Sequence, residues 1–322
     1  MPRIYTTLLA MLCLTGGLSG ETTYQMSQES CDMPFIIKNK LMLVRGQADS
    51  HSGYFLFDTG ASELVLNKRF FLRKQGYRTG HIYADVHGRK ARHGYSFISH
   101  FGWGSLERQN FYAPRLDLSA LEAALGEEII GIIGYDVLRH VEAEVDYYAG
   151  QMRLSRAGEG AVPVAEAPLP DLEFSFQLDG HLPVVRCAAG DAGSLLLGID
   201  SGTSVNLMEI RLKKKLAGKA MQQRTIPLLG AGGQEKRAPY FVMESLEVEQ
   251  AYSVLYSRVA FSDLSMLRNY GFRVDGLIGV NFFRLGRVAI NYDTRHIRVW
   301  LGDNDYTMRL QLARPLPAIS AG

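Results

Sequence analysis

Two short stretches carry residues able to do acid–base chemistry. Asp58-Thr59-Gly60 follows the apolar run Tyr54-Phe55-Leu56-Phe57, and Asp200-Ser201-Gly202 follows Leu195-Leu196-Leu197-Gly198-Ile199. Each places a carboxylate at the end of a strand-like segment, in a tight turn that Gly60 or Gly202 permits. A small residue comes next, Ala61 or Thr203, and then a second apolar run, Leu64-Val65-Leu66 or Val205-Asn206-Leu207-Met208. Two carboxylates held side by side cannot both ionise cheaply, so one pKa rises, the other falls, and the pair shares a proton. One Asp can then act as general base on a water while its partner donates a hydrogen bond to a carbonyl oxygen. That is the chemistry of amide hydrolysis. The hydroxyls of Thr59 and Ser201 are expected to bond across the two turns and hold them together.

The elements that must position these turns come in two copies. Adding 142 carries Asp58 to Asp200 and Gly60 to Gly202, and it carries Gly76 to Gly218, each closing a basic segment (67–75 and 209–217) expected to be a short helix. Further on an offset of 145 carries Gly131-Ile132-Ile133-Gly134 onto Gly276-Leu277-Ile278-Gly279, Arg139 onto Arg284, Val145 onto Ile290 and Tyr147 onto Tyr292. Two copies point to a duplicated lobe rather than a solenoid. Each copy alternates short strands with turn signals and closes on a hairpin, 141–147 with 151–154 and 287–292 with 296–300. The expected fold is mainly β, with two duplicated barrel-like lobes and a few short helices. The expected boundaries are a leader over 1–20, an N-terminal segment over 21–33, lobes over 34–155 and 171–303, a Gly/Pro-rich linker over 156–170 and a tail over 304–322.

With both turns and both downstream segments in place, the chain resembles the pepsin-like and retropepsin-like aspartic proteases, in particular the compact two-lobed bacterial type. Asp58-Thr59-Gly60-Ala61 and Asp200-Ser201-Gly202-Thr203 resemble that family's active-site loops, and Ile132-Ile133-Gly134 and Leu277-Ile278-Gly279 resemble the segments that support them. The resemblance spans about residues 34–300. It implies a bilobal pepsin-like acid protease fold with an interlobe cleft, a catalytic dyad of Asp58 and Asp200, and loop support from Thr59, Gly60, Ala61, Ser201, Gly202, Thr203, Gly134 and Gly279. It also implies a hairpin flap over the cleft, a peptide or protein substrate, no cofactor and no metal. A different class shares such a fold: a non-catalytic protein that binds peptides or inhibitors.

The chain departs from the family in two places. Pepsins carry Ser or Thr after both loop glycines, whereas here Ala61 stands in the first loop, as in a retroviral protease. A hydrogen bond from Thr203 to Asp200 is therefore expected to favour the ionised form of Asp200 and leave the shared proton more on Asp58. No long propeptide precedes the first strand. The flap falls over 81–100, expected to turn near Lys90, with Tyr83, His87, Gly88 and Tyr95 as candidate flap residues and 228–240 as its counterpart. The histidines His81, His87, His93 and His100 lie in the same segment, but without tight ligand spacing they read as flap histidines rather than a metal site.

Composition narrows the setting. Apolar residues make up 47% and charged residues 21% of the 322, an ordinary balance for a packed chain, and a formal charge of +2 gives no reason to expect nucleic acid as a partner. Arg3, the apolar run 4–14 and the small residues 16–20 read as a secretory signal, so the protein is expected to be exported, periplasmic or secreted, and monomeric. No stretch reaches the roughly 18 apolar residues of a membrane span. Beyond the leader the only thiols are Cys31 and Cys187, which in an oxidising compartment form either one disulfide or two buried free thiols.

Overall fold

A computed structural model describes residues 7–8, 23–71, 79–84, 90–158, 168–189, 192–230, 235–249, 252–255, 257–302 and 310–312. The chain is mainly β, in two lobes of like topology. In the first lobe the strand His51–Phe57 delivers Asp58. It lies antiparallel to Leu41–Ala48 and parallel to Ile129–Ile133, which in turn is antiparallel to Val65–Asn67. In the second lobe Ser194–Ile199 delivers Asp200. It lies antiparallel to Leu182–Ala188 and parallel to Gly276–Ile278, which is antiparallel to Asn206–Glu209. Both faces of these central strands are covered, so they read as continuous apolar runs rather than alternating ones.

The late strand in each lobe is threaded between the Asp strand and the strand after the turn, and this requires glycine. A side chain at Gly131 would stand 2.3 Å from the Val65 carbonyl oxygen, and one at Gly276 would stand 2.3 Å from that of Leu207. The same geometry recurs one turn later. A Cβ on Gly134 would meet the Glu63 carbonyl oxygen at 2.6 Å, and one on Gly279 would meet those of Thr203 and Val205 at 2.7 Å.

The two closing hairpins form as expected, at Val141–Asp146 with Gln151–Arg156 and Gly286–Asn291 with His296–Leu301. The pattern does not reveal that they join edge to edge. Val141–Asp146 pairs antiparallel with Gly286–Asn291, and Ser30–Lys38 and Leu172–Ser175 extend the sheet on either side. Glu144 pairs with Ala289, its own counterpart (144 + 145 = 289), so the pseudo-twofold axis relating the lobes passes through that pair. Beneath it the cores meet, with Phe57 edge-on to Phe283 at 6.1 Å between ring centres.

Several expectations change. The segment 209–217 is helical but broken, a 3-10 turn over Ile210–Leu212, one α-turn over Lys213–Leu216 and a second 3-10 turn over Ala217–Lys219 that runs through Gly218; most of its counterpart lies outside the described residues. Among the described residues no disulfide forms, and Cys31 and Cys187 are free. They sit in different sheets: Cys31 pairs with Leu154 and accepts hydrogen bonds from Ser105, while Cys187 is buried between Leu195 and Val248. The tail contributes a strand, Leu310–Leu312, antiparallel to Tyr252–Val254. Of the leader only Thr7–Leu8 is described, in a parallel pair with Leu229–Gly230, and most of the linker is likewise outside the described residues. Among the described residues no helix is long and apolar enough to cross a membrane.

Candidate active site

The two turns meet at the junction of the lobes. Each Asp backbone N–H donates to the strand threaded behind it, Asp58 to the Ile133 carbonyl at 3.1 Å and Asp200 to that of Ile278 at 2.9 Å. Each carboxyl accepts a hydrogen bond from its own turn: Asp58 Oδ1 from the Gly60 N–H and Asp200 Oδ1 from the Gly202 N–H, both at 2.9 Å. Both carboxyls are wholly buried and face one another. The second oxygens, Oδ2 of Asp58 and of Asp200, find no other donor among the described residues.

Four hydrogen bonds lock the turns together. The Thr59 N–H donates to Ser201 Oγ at 3.0 Å, and the Ser201 N–H donates to Thr59 Oγ1 at 2.9 Å. The hydroxyls pass the interaction on, Thr59 to the Ile199 carbonyl at 2.8 Å and Ser201 to that of Phe57 at 2.9 Å. Every donor and acceptor in this exchange is buried, so losing a partner costs the full desolvation of the group left behind.

The loop glycines have a different role from the one read in the sequence. Neither Gly60 nor Gly202 has a left-handed φ. What they provide is space for the opposite lobe. A Cβ on Gly60 would lie 2.6 Å from Asp200 Cγ, and one on Gly202 would lie 2.4 Å from Asp58 Oδ2. The two carboxyls can face each other only because each turn is bare at that point.

Burial raises both carboxyls above the ordinary range, Asp58 further through the like charge of Asp200; the glycine N–H groups oppose the rise only in part. The pair therefore holds a proton beyond the range where isolated carboxyls lose theirs, and that proton belongs to the pair. The hydrogen bond expected from Thr203 to Asp200 is absent, and the further rise of Asp58 comes from the charge of Asp200 instead. The Thr203 hydroxyl donates to the Val205 carbonyl at 3.1 Å, closing its own turn rather than reaching Asp200. Ala61, at the matching position, is fully buried and its carbonyl accepts the Tyr135 N–H, as that of Thr203 accepts the Val280 N–H.

Two residues at the site are not among the site candidates read from the sequence, although Tyr292 appears there as the counterpart of Tyr147. His181 stands just after the Asp179-Gly180 hairpin turn, and its Nε2 lies 2.9 Å from the Gly60 carbonyl oxygen. Burial holds its pKa down, so the ring is neutral and donates from Nε2. It packs edge-on to Phe272, ring centres 5.3 Å apart. Tyr292 is buried against Tyr135 and Phe176, its hydroxyl has no partner among the described residues, and burial followed by the charge of Asp58 raises its pKa. Its counterpart Tyr147 does find a partner, the Lys40 carbonyl at 2.9 Å.

The flap candidates are only partly described. Thr79–Ala84 and Lys90–Trp103 form an antiparallel hairpin in which Ala84 pairs with Lys90, so Lys90 lies on a strand rather than at the centre of the turn. His87 and Gly88 lie outside the described residues. Tyr83 pairs with Ala91 near the tip, whereas Tyr95 lies at the base, opposite Pro114. The matching hairpin in the second lobe is Ala220–Gly230 with Glu235–Met243.

No family model matches this chain, and no curated protein matches it. Among solved structures, the crystal structure of basic 7S globulin from soybean superposes over 84% of this chain and 94% of that one, with a TM-score of 0.49 and 9% sequence identity.

Proposed function

We propose that the protein is an aspartic endopeptidase whose dyad is Asp58 and Asp200. The observation that carries this reading is the facing pair of buried carboxyls, each fixed by its own glycine N–H and pressed against the bare turn of the other lobe. In the singly protonated pair the ionised carboxylate takes a proton from water as its oxygen bonds to the scissile carbonyl carbon. The protonated partner donates to the carbonyl oxygen, giving a neutral gem-diol. As the C–N bond breaks, a proton passes from the dyad to the leaving nitrogen and the diol returns one to the dyad, which regains its single proton. Proton transfer at this pair needs no other acid or base. Because both carboxyls are fully buried, substrate reaches them only through an opening motion. The leader read in the sequence would place this activity outside the cytoplasm.

The rival is a peptide-binding protein without catalysis. One experiment separates them: incubation with a mixed peptide library from mildly acidic to neutral pH, for the wild type and for Asp58→Asn and Asp200→Asn. Cleavage abolished by either substitution supports the dyad. Binding without cleavage at every pH supports the binder.

A further inference from the structure

The second lobe holds a cavity of about 430 Å³ that does not include the dyad, a volume within the range of about 300–1,000 Å³ typical of small-molecule sites. The first lobe explains what it is. Strand register aligns the two lobes there: Arg115 pairs with Leu66 as Phe261 pairs with Met208, and Gly102 pairs with Gln47 as Glu247 pairs with Ala188. In the first lobe the corresponding socket is filled by Tyr24. Its ring packs on Phe101, Phe111 and His140, lies under the Arg108 guanidinium, and its hydroxyl donates to Asp136 at 3.4 Å. The counterparts of those five residues are Leu246, Ser257, Leu285, Val254 and Asn281, and all five line the cavity.

Even the incoming strand is matched. Gln25–Met26 pairs with Glu107 and Leu106, and Gln311–Leu312 pairs with the corresponding Ser253 and Tyr252. The residue at the level of Tyr24 is then Leu310, so the second lobe has no aromatic residue at that register. Two neighbours are smaller too, with Leu246 in place of Phe101 and Ser257 in place of Phe111, while Tyr252 stands where the first lobe has Leu106.

The charges differ as well. In the first lobe Arg108 faces Asp136 at 3.8 Å. In the second, Asn281 replaces the carboxylate, and no Asp or Glu is found among the described lining residues. Three arginines line the cavity instead, Arg224 and Arg258 exposed and Arg284 half-buried. None forms an ion pair among the described residues; Arg224 leans on Tyr240 and Arg284 on Tyr147. Arg224 donates to Gln222 Oε1 at 2.7 Å, and the hydroxyl of Tyr252, a buried lining residue, has no hydrogen-bond partner among the described residues.

We propose that this cavity binds a small amphipathic carboxylate, whose apolar or aromatic body takes the place Tyr24 takes in the first lobe and whose carboxylate stands in for Asp136 and meets the arginines that have no acidic partner among the described residues. Apolar burial supplies the affinity and charge-assisted bonds to guanidinium groups set the preference for an acid. Two sources share this chemistry, a free fatty acid and the C-terminal residue of a peptide. The site is separate from the dyad, and its occupancy does not depend on catalysis.

Calorimetric titration at neutral pH tests it with two acids and their neutral counterparts: octanoate against octanol, and acetyl-leucyl-phenylalanine against its C-terminal amide. The expected result is one site per chain, with at least one acid binding tenfold or more tightly than its neutral counterpart. Tighter octanoate binding identifies the fatty-acid source, and tighter dipeptide binding the peptide source. Arg258→Ala is expected to weaken the acid about tenfold. Asn281→Asp, which gives this lobe the carboxylate of the other, is expected to do the same without weakening the neutral compound. Should Asn281→Asp fail to fold, the exposed Arg258 decides alone. No binding, equal binding of acid and neutral compound, or an unchanged affinity in Arg258→Ala would overturn the proposal.

Discussion

Replacing Gly60 by alanine tests the contact on which the whole site depends. The backbone there tolerates a side chain, since φ is not in the left-handed region. The new methyl would stand 2.6 Å from Asp200 Cγ and Oδ1, against about 3.4 Å or more for an ordinary contact. The carboxyl or the turn must therefore give way by about 0.8 Å, the difference between those distances. Overpacking of this size costs about 1–3 kcal/mol. A displacement near 1 Å of a reacting group costs about a hundredfold in rate, which is about 2.7 kcal/mol of barrier. Peptide cleavage by Gly60→Ala is thus expected to fall about a hundredfold in kcat/KM, with the urea midpoint lowered. Gly218→Ala is the control. Nothing lies within 4 Å of a Cβ there and φ is not left-handed, so the change is expected to be neutral, or to stabilise by at most about 1 kcal/mol through the unfolded chain. A Gly60→Ala protein with wild-type stability and more than a third of wild-type activity would refute the reasoning.

Three further perturbations have signs fixed by the same geometry. Ser201→Ala leaves the Phe57 carbonyl without its donor and the Thr59 N–H without its acceptor; two buried orphans at about 1–3 kcal/mol each predict a loss of about 3 kcal/mol or more in urea unfolding, and a loss below about 1 kcal/mol would show that the exchange does not hold the turns. His181→Phe keeps the ring contacts but removes the donor to the Gly60 carbonyl, with a similar single-orphan cost at pH 8. Because burial depresses the His181 pKa, the folded chain binds fewer protons there than the unfolded one, and the wild type loses this contribution as pH falls through about 6.5; the gap between wild type and variant should therefore narrow at pH 5. At the dyad the sign is opposite. Asp200 is raised by burial, so the folded chain holds the extra proton and stability falls as pH rises from about 4 through the raised pKa. Asp200→Asn removes that penalty, so its thermal midpoint should exceed the wild type's at pH 8 but not at pH 4.

Much of the site could be read from the residues because it repeats. The two turns, the glycines at 134 and 279 and the closing hairpins all recur at fixed offsets, and each is local enough for a pattern to reveal it. What the pattern could not supply were contacts between distant strands. The reason for Gly60 lies in Asp200, 140 residues away in the chain (200 − 60), and a turn glycine looks the same in sequence whether it frees φ or clears room. The bond expected from Thr203 to Asp200 rests on the resemblance to pepsin loops, but in the fold the Thr203 hydroxyl donates to the Val205 carbonyl. His181 is a single histidine after a hairpin turn, and only the packing of Phe272 and Tyr135 around it brings Nε2 to the first lobe. The cysteines show the limit most plainly, since equal compatibility with a bridge and with free thiols is resolved only by their separate sheets.

The duplication also explains where the lobes have stayed alike and where they have diverged. Along the pseudo-axis the two copies face one another: Thr59 bonds its counterpart Ser201, Gly60 clears Asp200, Gly202 clears Asp58, and in the closing hairpins Glu144 pairs with Ala289. A change on one side of the pseudo-axis there must be matched on the other, because each group is the other's environment. The Tyr24 socket and the cavity of the second lobe lie away from that axis and never meet. Each is built mainly from its own lobe, Tyr148 being the first-lobe residue that lines the cavity, so Leu246 need not match Phe101 nor Asn281 match Asp136. One copy is closed by its own tyrosine and carboxylate, while the other combines an apolar wall with arginines that have no acid among the described residues. The same framework therefore holds a site that symmetry keeps uniform and another that its freedom from symmetry left open to a second ligand.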